Sequence, residues 1–382
     1  MTNRDEAPYR RRRRTAAGIL IAVAALGALA LESALGDERT GPAPREIESI
    51  HLNAVSDRAL VGQKLMVRME GSATPELMRA ARRGEIGGVI VFPPPAQPED
   101  ELRAQVGRLQ RAASEAGRPP LLVAIDQEGG EVKRLPQGPP ESSPAELAER
   151  GDAAEAHRAG RETGSYLARL GINVDLAPVL DVPSSPASFM TSRAFGDDRR
   201  TVTELGNAFA EGLEAGGVIA AVKHFPGLGR AVANTDLGPS EVDTSERDLE
   251  ADLGPFREAI ARRIAMVMVA NAIYGALDST APAALSRTVV NDLLRDELGF
   301  DGLVISDDLG AGAIEAAASE REAAIDASRA GIDVLLYAGT DDPGAARDAL
   351  LGAVDRGELS RASLERSLVR ILDLKERVKE SR

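Results

Sequence analysis

Short apolar runs alternate with longer stretches of helical period from about residue 47 to the end of the chain. Runs that are hydrophobic throughout are typical of parallel strands that are covered on both faces. The pattern predicts eight strands, at Leu60–Met69, Gly88–Phe92, Leu121–Ile125, Asn173–Leu180, Ile219–His224, Ala265–Ala270, Leu303–Ser306 and Asp333–Tyr337.

A helical stretch follows each predicted strand, at Pro75–Arg83, Pro98–Ala116, Pro144–Leu170, Thr201–Ala215, Ser245–Arg263, Ser286–Leu298, Ala313–Ala330 and Asp342–Val378. Eight successive β–α units predict a single (β/α)8 TIM barrel, here spanning residues 49–382. A doubly wound open sheet is the alternative. It is weakened because no glycine fingerprint for dinucleotide or phosphate binding follows the first strand.

The N-terminal part of the chain reads as a targeting segment. Residues 1–14 end in five arginines, residues 15–34 form a segment that is apolar from Thr15 to Leu31, and residues 35–48 form a linker around Gly41-Pro42-Ala43-Pro44. The hydrophobic segment is a signal peptide or a transmembrane anchor, and Ala28-Leu29-Ala30 offers a cleavage site. Either way we expect export, with the domain secreted or anchored outside the cytoplasm and touching the membrane only if the leader stays uncleaved.

Composition narrows the range of functions. The net charge of -14 and the pI near 4.9 argue against a nucleic-acid partner, because binding of phosphates requires a clustered basic face. The absence of cysteine excludes thiol nucleophiles, disulfides and thiolate metal sites. Any chemistry therefore uses oxygen and nitrogen groups.

Polar residues collect where the predicted strands end. Asp126 follows the third strand, Lys223-His224 ends the fifth, Asp307-Asp308 follows the seventh, and Arg193 lies in the loop after the fourth. Such residues meet at one mouth of a barrel, and carboxylates beside Lys, His and Arg suit cleavage of a hydroxyl-rich substrate.

Several of these carboxylates have structural alternatives. We expect Asp181 and Asp308 to hydrogen-bond neighbouring backbone, whereas Asp307 and Asp126, at the edge of an apolar core, are candidates for chemistry. Paired aspartates could also hold a metal, but no ligand spacing supports one, and no cofactor or metal is expected.

The motifs of this chain resemble those of family 3 glycoside hydrolases, and most closely the single-domain bacterial β-N-acetylhexosaminidases of that family. The resemblance covers about residues 49–375 and rests on Asp126-Gln127-Glu128-Gly129-Gly130 with Arg134, Asn173-Val174-Asp175-Leu176-Ala177-Pro178-Val179-Leu180-Asp181-Val182, Ser192-Arg193-Ala194-Phe195-Gly196, Lys223-His224-Phe225-Pro226-Gly227, Phe300-Asp301-Gly302 and Ser306-Asp307-Asp308-Leu309. The family has a (β/α)8 barrel, in agreement with the strand count.

The resemblance implies roles for individual residues. It makes Asp307 the nucleophile of a retaining reaction that passes through a covalent glycosyl-enzyme. It also implies that the terminal sugar is held by Asp126, Arg134, Arg193, Lys223 and His224. These types fit the task, because Arg and Lys donate to sugar oxygens and Asp126 can accept from two adjacent hydroxyls.

One motif departs from the family pattern. Members of the subfamily read Lys-His-Phe-Pro-Gly-His-Gly followed by Asp-Ser-His, whose His is the acid/base, whereas this chain has Leu228 and then Asn234-Thr235-Asp236. Neither of the remaining histidines can substitute, since His51 precedes the first strand and His157 lies in a predicted helix. We expect Asp236 to be the catalytic acid/base, with Asn234 holding it and burial near Asp307 raising its pKa. Glu241 or Asp243 is the alternative acid.

These observations predict a retaining glycosidase that removes terminal β-N-acetylglucosamine from cell-wall saccharides, working as a monomer. A carboxylate near the anomeric carbon would repel phosphate, which favours hydrolysis over phosphorolysis. Because of the altered motif, a catalytically impaired saccharide-binding protein of the cell envelope is the alternative. A β-glucosidase is a weaker one, since such relatives usually draw the acid/base from a second domain.

Overall fold

Eight parallel strands form a ring in the computed structural model, which describes residue 52 and residues 55–94 and 96–380. They are β1 Leu65–Met69, β2 Gly88–Val91, β3 Leu122–Ile125, β4 Val174–Asp175, β5 Ile219–Phe225, β6 Met266–Val269, β7 Leu303–Ser306 and β8 Leu335–Tyr337. β8 pairs with β1, and a bridge between Ile305 and Val334 joins β7 to the segment leading into β8. The predicted (β/α)8 barrel is confirmed, whereas the doubly wound alternative is wrong.

Helices connect the strands around the outside of the ring. They are α1 Asp57–Gln63, α2 Pro75–Arg83, α3 Glu99–Glu115, α4 Pro144–Arg150, α5 Ala153–Arg169, α6 Arg199–Thr201, α7 Asn207–Ala215, α8 Glu246–Asp252, α9 Gly254–Ala261, α10 Gly312–Glu315, α11 Glu320–Ala330, α12 Gly344–Asp355 and α13 Arg361–Glu380, with π-helical turns at Val202–Gly206 and Thr288–Glu297 and a 3-10 turn at Ala283–Leu285. Among the described residues, none of these helices combines the length and apolar character needed to cross a bilayer. The predicted leader and linker, and His51, lie outside the described residues.

Short strands outside the barrel shape its mouth. Gln127–Gly129 and Val132–Lys133 form a hairpin directly after β3. A small three-stranded sheet contains Glu241–Val242, Ile273–Tyr274 and Asp278–Pro282.

The first apolar run is only partly a strand, in contrast to the prediction. Residues 60–63 belong to α1, which begins after Ser56, whose hydroxyl accepts a hydrogen bond from Ala59 N at 3.3 Å. The apolar run hides this boundary because the buried face of the helix continues directly into the strand. The predicted helix Pro144–Leu170 is also two helices, since Gly151 adopts a left-handed φ of 64° and ends α4.

Two apolar layers result from the alternation of side chains along the strands. One face of each strand packs against the helices, as Val67, Val89 and Val304 do, while the other points into the barrel with Met66 and Ile305. Three side chains of α13, those of Ile371, Leu374 and Val378, join the inner layer. The inner layer is a packed core, so a ligand must bind at the rim, where polar side chains begin.

A buried charge network lies beside the amino ends of β7 and β8. Asp333 is fully buried and accepts from Arg295 Nη2 at 2.6 Å, Arg370 Nη1 at 3.1 Å, Ser367 Oγ at 2.9 Å and Val304 N at 3.0 Å. Every carboxylate oxygen therefore has a partner, which offsets the cost of burying the charge. The network ties α13 and the π-helical turn Thr288–Glu297 to the strands, at the end of the barrel opposite the predicted site.

Replacing Arg295 with Met should therefore destabilise the fold. The change leaves Asp333 with weaker compensation for its buried charge, and we expect a loss of about 3 kcal/mol in the free energy of unfolding, measured with urea. Arg262→Met removes ion pairs with Glu258 and Glu211, in which all three side chains are 38% to 46% exposed, and should cost less than about 1 kcal/mol. Equal losses in the two variants would contradict the importance of the buried network.

Candidate active site

The polar residues that were predicted to meet do lie at one mouth of the barrel. Asp126 follows β3, Lys223 and His224 belong to the last part of β5, and Asp307 follows β7. All four are at carboxyl ends of parallel strands, where the loops of a (β/α)8 barrel build its site. Arg193 reaches the same group from the loop after β4.

The centre of the group is Lys223, whose side chain is only 2% exposed. Its Nζ lies 2.9 Å from Asp126 Oδ1 and 2.6 Å from Glu128 Oε1. Burial would lower the pKa of Lys223, but the carboxylates of Asp126 and Glu128 raise it above its usual value. The ammonium is therefore charged, and it fixes both carboxylates relative to β5.

Glu128 also belongs to this cluster. It is part of a sequence motif, but no role was predicted for it. Arg193 donates to both of its oxygens, from Nε at 2.9 Å and from Nη2 at 2.7 Å. Although burial works against ionisation, Lys223 and Arg193 lower the pKa of Glu128 to about 2. Glu128 thus locks the two cations in place. Its position two residues after Asp126, on the same side of an extended segment, was the available signal.

Arg134 lies at the rim of the same cluster, on the loop that follows the short hairpin. Its Nη2 is 3.9 Å from Asp126 Oδ2, and its guanidinium carbon is 5.0 Å from the ring centroid of Phe92. Its side chain is 42% exposed. Arg134 can therefore donate to a ligand that reaches Asp126 from the solvent side.

His224 is held by Asp181, which was expected to have a structural role. Asp181 Oδ2 lies 2.7 Å from His224 Nδ1, while its Oδ1 accepts from the backbone N–H groups of His224 at 3.1 Å and Leu228 at 2.6 Å. A carboxylate can only accept, so Nδ1 carries a proton, and in the neutral ring Nε2 is the acceptor nitrogen. Asp181 thereby sets both the orientation and the tautomer of the ring.

Asp307 and Asp308 have different surroundings. Asp307 is half-buried at the mouth, its backbone N–H donates to Val269 O at 2.9 Å, and its Oδ1 accepts from Asp308 N at 2.8 Å. Asp308 Oδ1 instead accepts from the backbone of Gly310 and Ala338, each at 2.9 Å. The expected backbone contacts of Asp308 are confirmed, and they leave Asp307 as the carboxylate presented to the mouth.

Asn271 is a second residue that sequence reasoning missed. It follows β6, it is buried, and its Nδ2 donates to Asp308 O at 2.7 Å. Its Oδ1 is buried and has no hydrogen-bond partner among the described residues. A polar side chain directly after a buried strand was the signal in the sequence, as it was for Asp307.

Asp236 lies on a loop that is pinned to the segment after β7. Gly312 N donates to Asp236 O and Ala313 N donates to Thr235 O, both at 3.0 Å, and Asn234 Oδ1 accepts from Asp236 N at 2.9 Å. Although the side chain reaches solvent, partial removal of water by its surroundings and the charge of Asp307 raise the pKa of Asp236. His157, by contrast, lies in α5 as predicted.

The arrangement is suited to a neutral, hydroxyl-rich ligand. Acceptors on Asp126 and His224 lie beside donors on Lys223, Arg193 and Arg134, so adjacent hydroxyl groups could each find a partner. In the part of the chain that the structure describes, no group of three or more His, Cys, Asp or Glu side chains is placed to hold a metal ion.

Comparison with known proteins shows the same architecture. Residues 58–374 match the model of the glycosyl hydrolase family 3 N-terminal domain. A secreted glycosyl hydrolase from Arthroderma benhamiae is 34% identical over 332 residues, which cover 83% of this chain and 92% of that protein. Beta-hexosaminidase LpqI from Mycobacterium tuberculosis is 33% identical over 330 residues, covering 84% of this chain and 83% of that protein.

Two solved structures are similar along most of the chain. A family 3 beta-N-acetylglucosaminidase from Paenibacillus superposes with a TM-score of 0.83 at 36% identity, covering 85% of this chain and 63% of that one. A beta-N-acetylhexosaminidase from Beutenbergia cavernae gives a TM-score of 0.76 at 35% identity, covering 84% of this chain and 99% of that one. The overall fold is thus shared with enzymes named for cleaving N-acetylated sugars.

The buried cluster can be tested through Glu128. Glu128→Gln removes one of the charges that balance Lys223 and Arg193, and we expect the free energy of unfolding to fall by about 3 kcal/mol. Glu131→Gln is the matched control, since Glu131 is exposed on the same hairpin segment and bonds only Ser192 in the described structure. A change of less than about 1 kcal/mol for Glu128→Gln in urea unfolding would contradict the pairing.

Proposed function

Since the chain belongs to glycosyl hydrolase family 3, we propose that it is a retaining glycosidase that removes terminal β-N-acetylglucosamine from cell-wall saccharides. The observation that carries this proposal is the mouth of the barrel, where Asp307 is presented beside the Asp126–Lys223 cluster and the Asp236 loop. The relatives named as hexosaminidases support the choice of sugar. The secreted relative supports an exported protein, either released or held by its N-terminal segment, and we propose that it acts as a monomer.

The mechanism assigns Asp307 as the nucleophile. Its carboxylate attacks the anomeric carbon, the leaving-group oxygen takes a proton, and a covalent glycosyl-enzyme forms. Water then attacks the same carbon and releases the sugar with its original anomeric configuration. The base in this second step is the residue that gave the proton in the first.

Binding of the terminal sugar falls to Asp126, Arg134, Arg193, Lys223 and His224. Because Lys223 binds both Asp126 and Glu128, Asp126 has a fixed direction in which to accept from two hydroxyls. A preorganised acceptor of this kind stabilises a distorted ring without reorganising during the reaction.

Asp236 is the proposed acid/base. Its raised pKa keeps a larger fraction protonated near neutral pH than an ordinary Asp would have, as a general acid requires. The alternatives are Glu241, in the small three-stranded sheet, and Asp243, directly after its strand, and both are exposed. A saccharide-binding protein without turnover is the second candidate function, and the replacement of the acid/base His favours it.

Loss of the nucleophile tests the enzyme directly. Asp307→Ala should lower kcat for an aryl β-N-acetylglucosaminide on the order of 10⁴-fold or more, while the exposed Asp301→Ala should leave it unchanged. The β-glucoside serves as the comparison substrate and should be a poor one. A wild type that cleaves neither but binds N-acetylglucosamine would establish the saccharide-binding alternative.

Leaving-group dependence tests the acid. Asp236→Ala should lower kcat/KM for substrates with poor leaving groups by about 10²–10⁴-fold, but should barely affect activated aryl substrates, which need no proton. Glu241→Gln and Asp243→Asn are the controls and should show no such split. The acid would be assigned elsewhere if either control lost kcat/KM on poor leaving groups only. The same conclusion would follow if Asp236→Ala lost kcat/KM equally on both types of substrate.

The pH profile provides a further test of Asp236. An acid must be protonated to act, so kcat/KM should fall as pH rises through the pKa of Asp236, at a higher pH than for an ordinary Asp. Natural-type substrates should show this alkaline limb in wild type. Asp236→Ala should lose the limb, and an unchanged limb in that variant would assign it to another group.

A further inference from the structure

Asp175 is a buried carboxyl group that the proposed mechanism leaves unused. It is the last residue of β4, and none of its surface is exposed. Its Oδ1 accepts one hydrogen bond, from the backbone N–H of Gln127 at 3.0 Å. Its Oδ2 is buried and has no hydrogen-bond partner among the described residues. One neutral donor is poor compensation for a full negative charge in such a place.

The charges near Asp175 are already balanced without it. The groups that face it are Lys223 on β5 and Asp126 and Glu128 on either side of Gln127, with Arg193 behind Glu128. Two buried cations thus meet two carboxylates. The third cation of the cluster, Arg134, is 42% exposed at the rim and lies 3.9 Å from Asp126 Oδ2, so solvent screens its charge. No ion pair in the described part of the chain includes Asp175, so a third negative charge there would be uncompensated.

We propose that Asp175 is an uncharged carboxylic acid that positions the sugar-binding residues. Through Gln127 it holds the segment that carries Asp126 and Glu128, and by staying neutral it leaves the Lys223 ammonium wholly to those two carboxylates. The part of this inference that concerns sugar binding rests on the proposed function. The statement about protonation stands on the burial and on the charge balance alone.

The surroundings set the pH at which this arrangement fails. Burial raises the pKa of Asp175 to about 8, with the charges of Asp126 and Glu128 adding to the rise and the bond from Gln127 and the charge of Lys223 opposing it. Above this pH a new negative charge competes for Lys223, which weakens the hold on Asp126. Binding of the sugar should therefore require the protonated form.

The Asp175→Asn substitution separates the two parts of the role. The amide keeps an oxygen that can accept from Gln127 N, has the same size, and stays neutral at every pH. It should preserve the position of the segment that carries Asp126 and Glu128, and it should abolish the pH dependence of sugar binding. Asp175→Ala removes the acceptor as well and should weaken binding at all pH values.

Binding of N-acetylglucosamine between pH 6 and pH 10, measured by calorimetry, tests the proposal. Both arms carry Asp236→Asn, so that titration of the proposed acid does not contribute. With Asp175 present, Kd should rise about tenfold per pH unit above its pKa, because only the protonated fraction binds. With Asp175→Asn added, Kd should stay flat over this range. A flat Kd in the protein that retains Asp175, or the same rise in both, overturns the proposal.

Thermal unfolding provides a readout that does not depend on function. An unfolded Asp ionises near pH 3.9, whereas Asp175 in the folded chain stays protonated to about pH 8. Folding of the protein with Asp175 should therefore lose stability as pH rises between these values, and Asp175→Asn should not share this loss. The Tm difference between the variant and wild type should grow from pH 4 to pH 8 and then level off.

The exposed Asp341→Asn variant controls for the loss of one carboxylate. A Tm difference for Asp175→Asn that is independent of pH would mean that Asp175 is charged in the folded protein, which overturns the proposal. If N-acetylglucosamine does not bind at all while the Tm difference follows the expected course, the proposed function fails and the protonation of Asp175 stands.

Discussion

The burial of the Lys223 ammonium is the constraint on which the mouth of the barrel depends. An ammonium taken out of water costs several kcal/mol unless partners replace the lost solvation, and here Asp126 and Glu128 do so at 2.9 and 2.6 Å. Glu128 in turn needs the bidentate bond from Arg193, which draws the loop after β4 to the site. One buried charge on β5 therefore fixes both the segment that follows β3 and the loop after β4.

The barrel separates the tasks of its two ends. At the amino ends, Asp333 has a partner for every carboxylate oxygen and ties helices to strands, so that end contributes stability. At the carboxyl ends, the partners of Asp307 and His224 satisfy only part of their hydrogen-bonding capacity and leave atoms that a substrate can use. The packed inner layer of apolar side chains lies between the two networks. The same kinds of side chain thus serve opposite purposes at the two ends, depending on whether their bonds are complete.

Much of the fold and the location of the site could be predicted from the sequence. The strand Leu303–Ser306 and the helix Pro75–Arg83 have the predicted bounds. A glycine precedes the strand and an aspartate follows it, while Thr-Pro begins the helix and a glycine ends it. The boundary between α1 and β1 could not be predicted, because burial made the apolar run continuous across it. Pairings such as Lys223 with Glu128 were also out of reach, since they join positions 95 residues apart and only the closed ring brings them together. The roles of Asp307 and Asp236 are proposals that rest on family resemblance and on position.

The attachment of the Asp236 loop has a consequence for how such a site can change during evolution. The bonds from Gly312 and Ala313 are made to the backbone oxygens of Asp236 and Thr235, and not to their side chains. The chain path is therefore insensitive to which side chain occupies this position. A carboxylate and an imidazole could be exchanged here by a few codon changes while the loop keeps its place. The side chain that transfers the proton can therefore change without a change in the backbone that positions it.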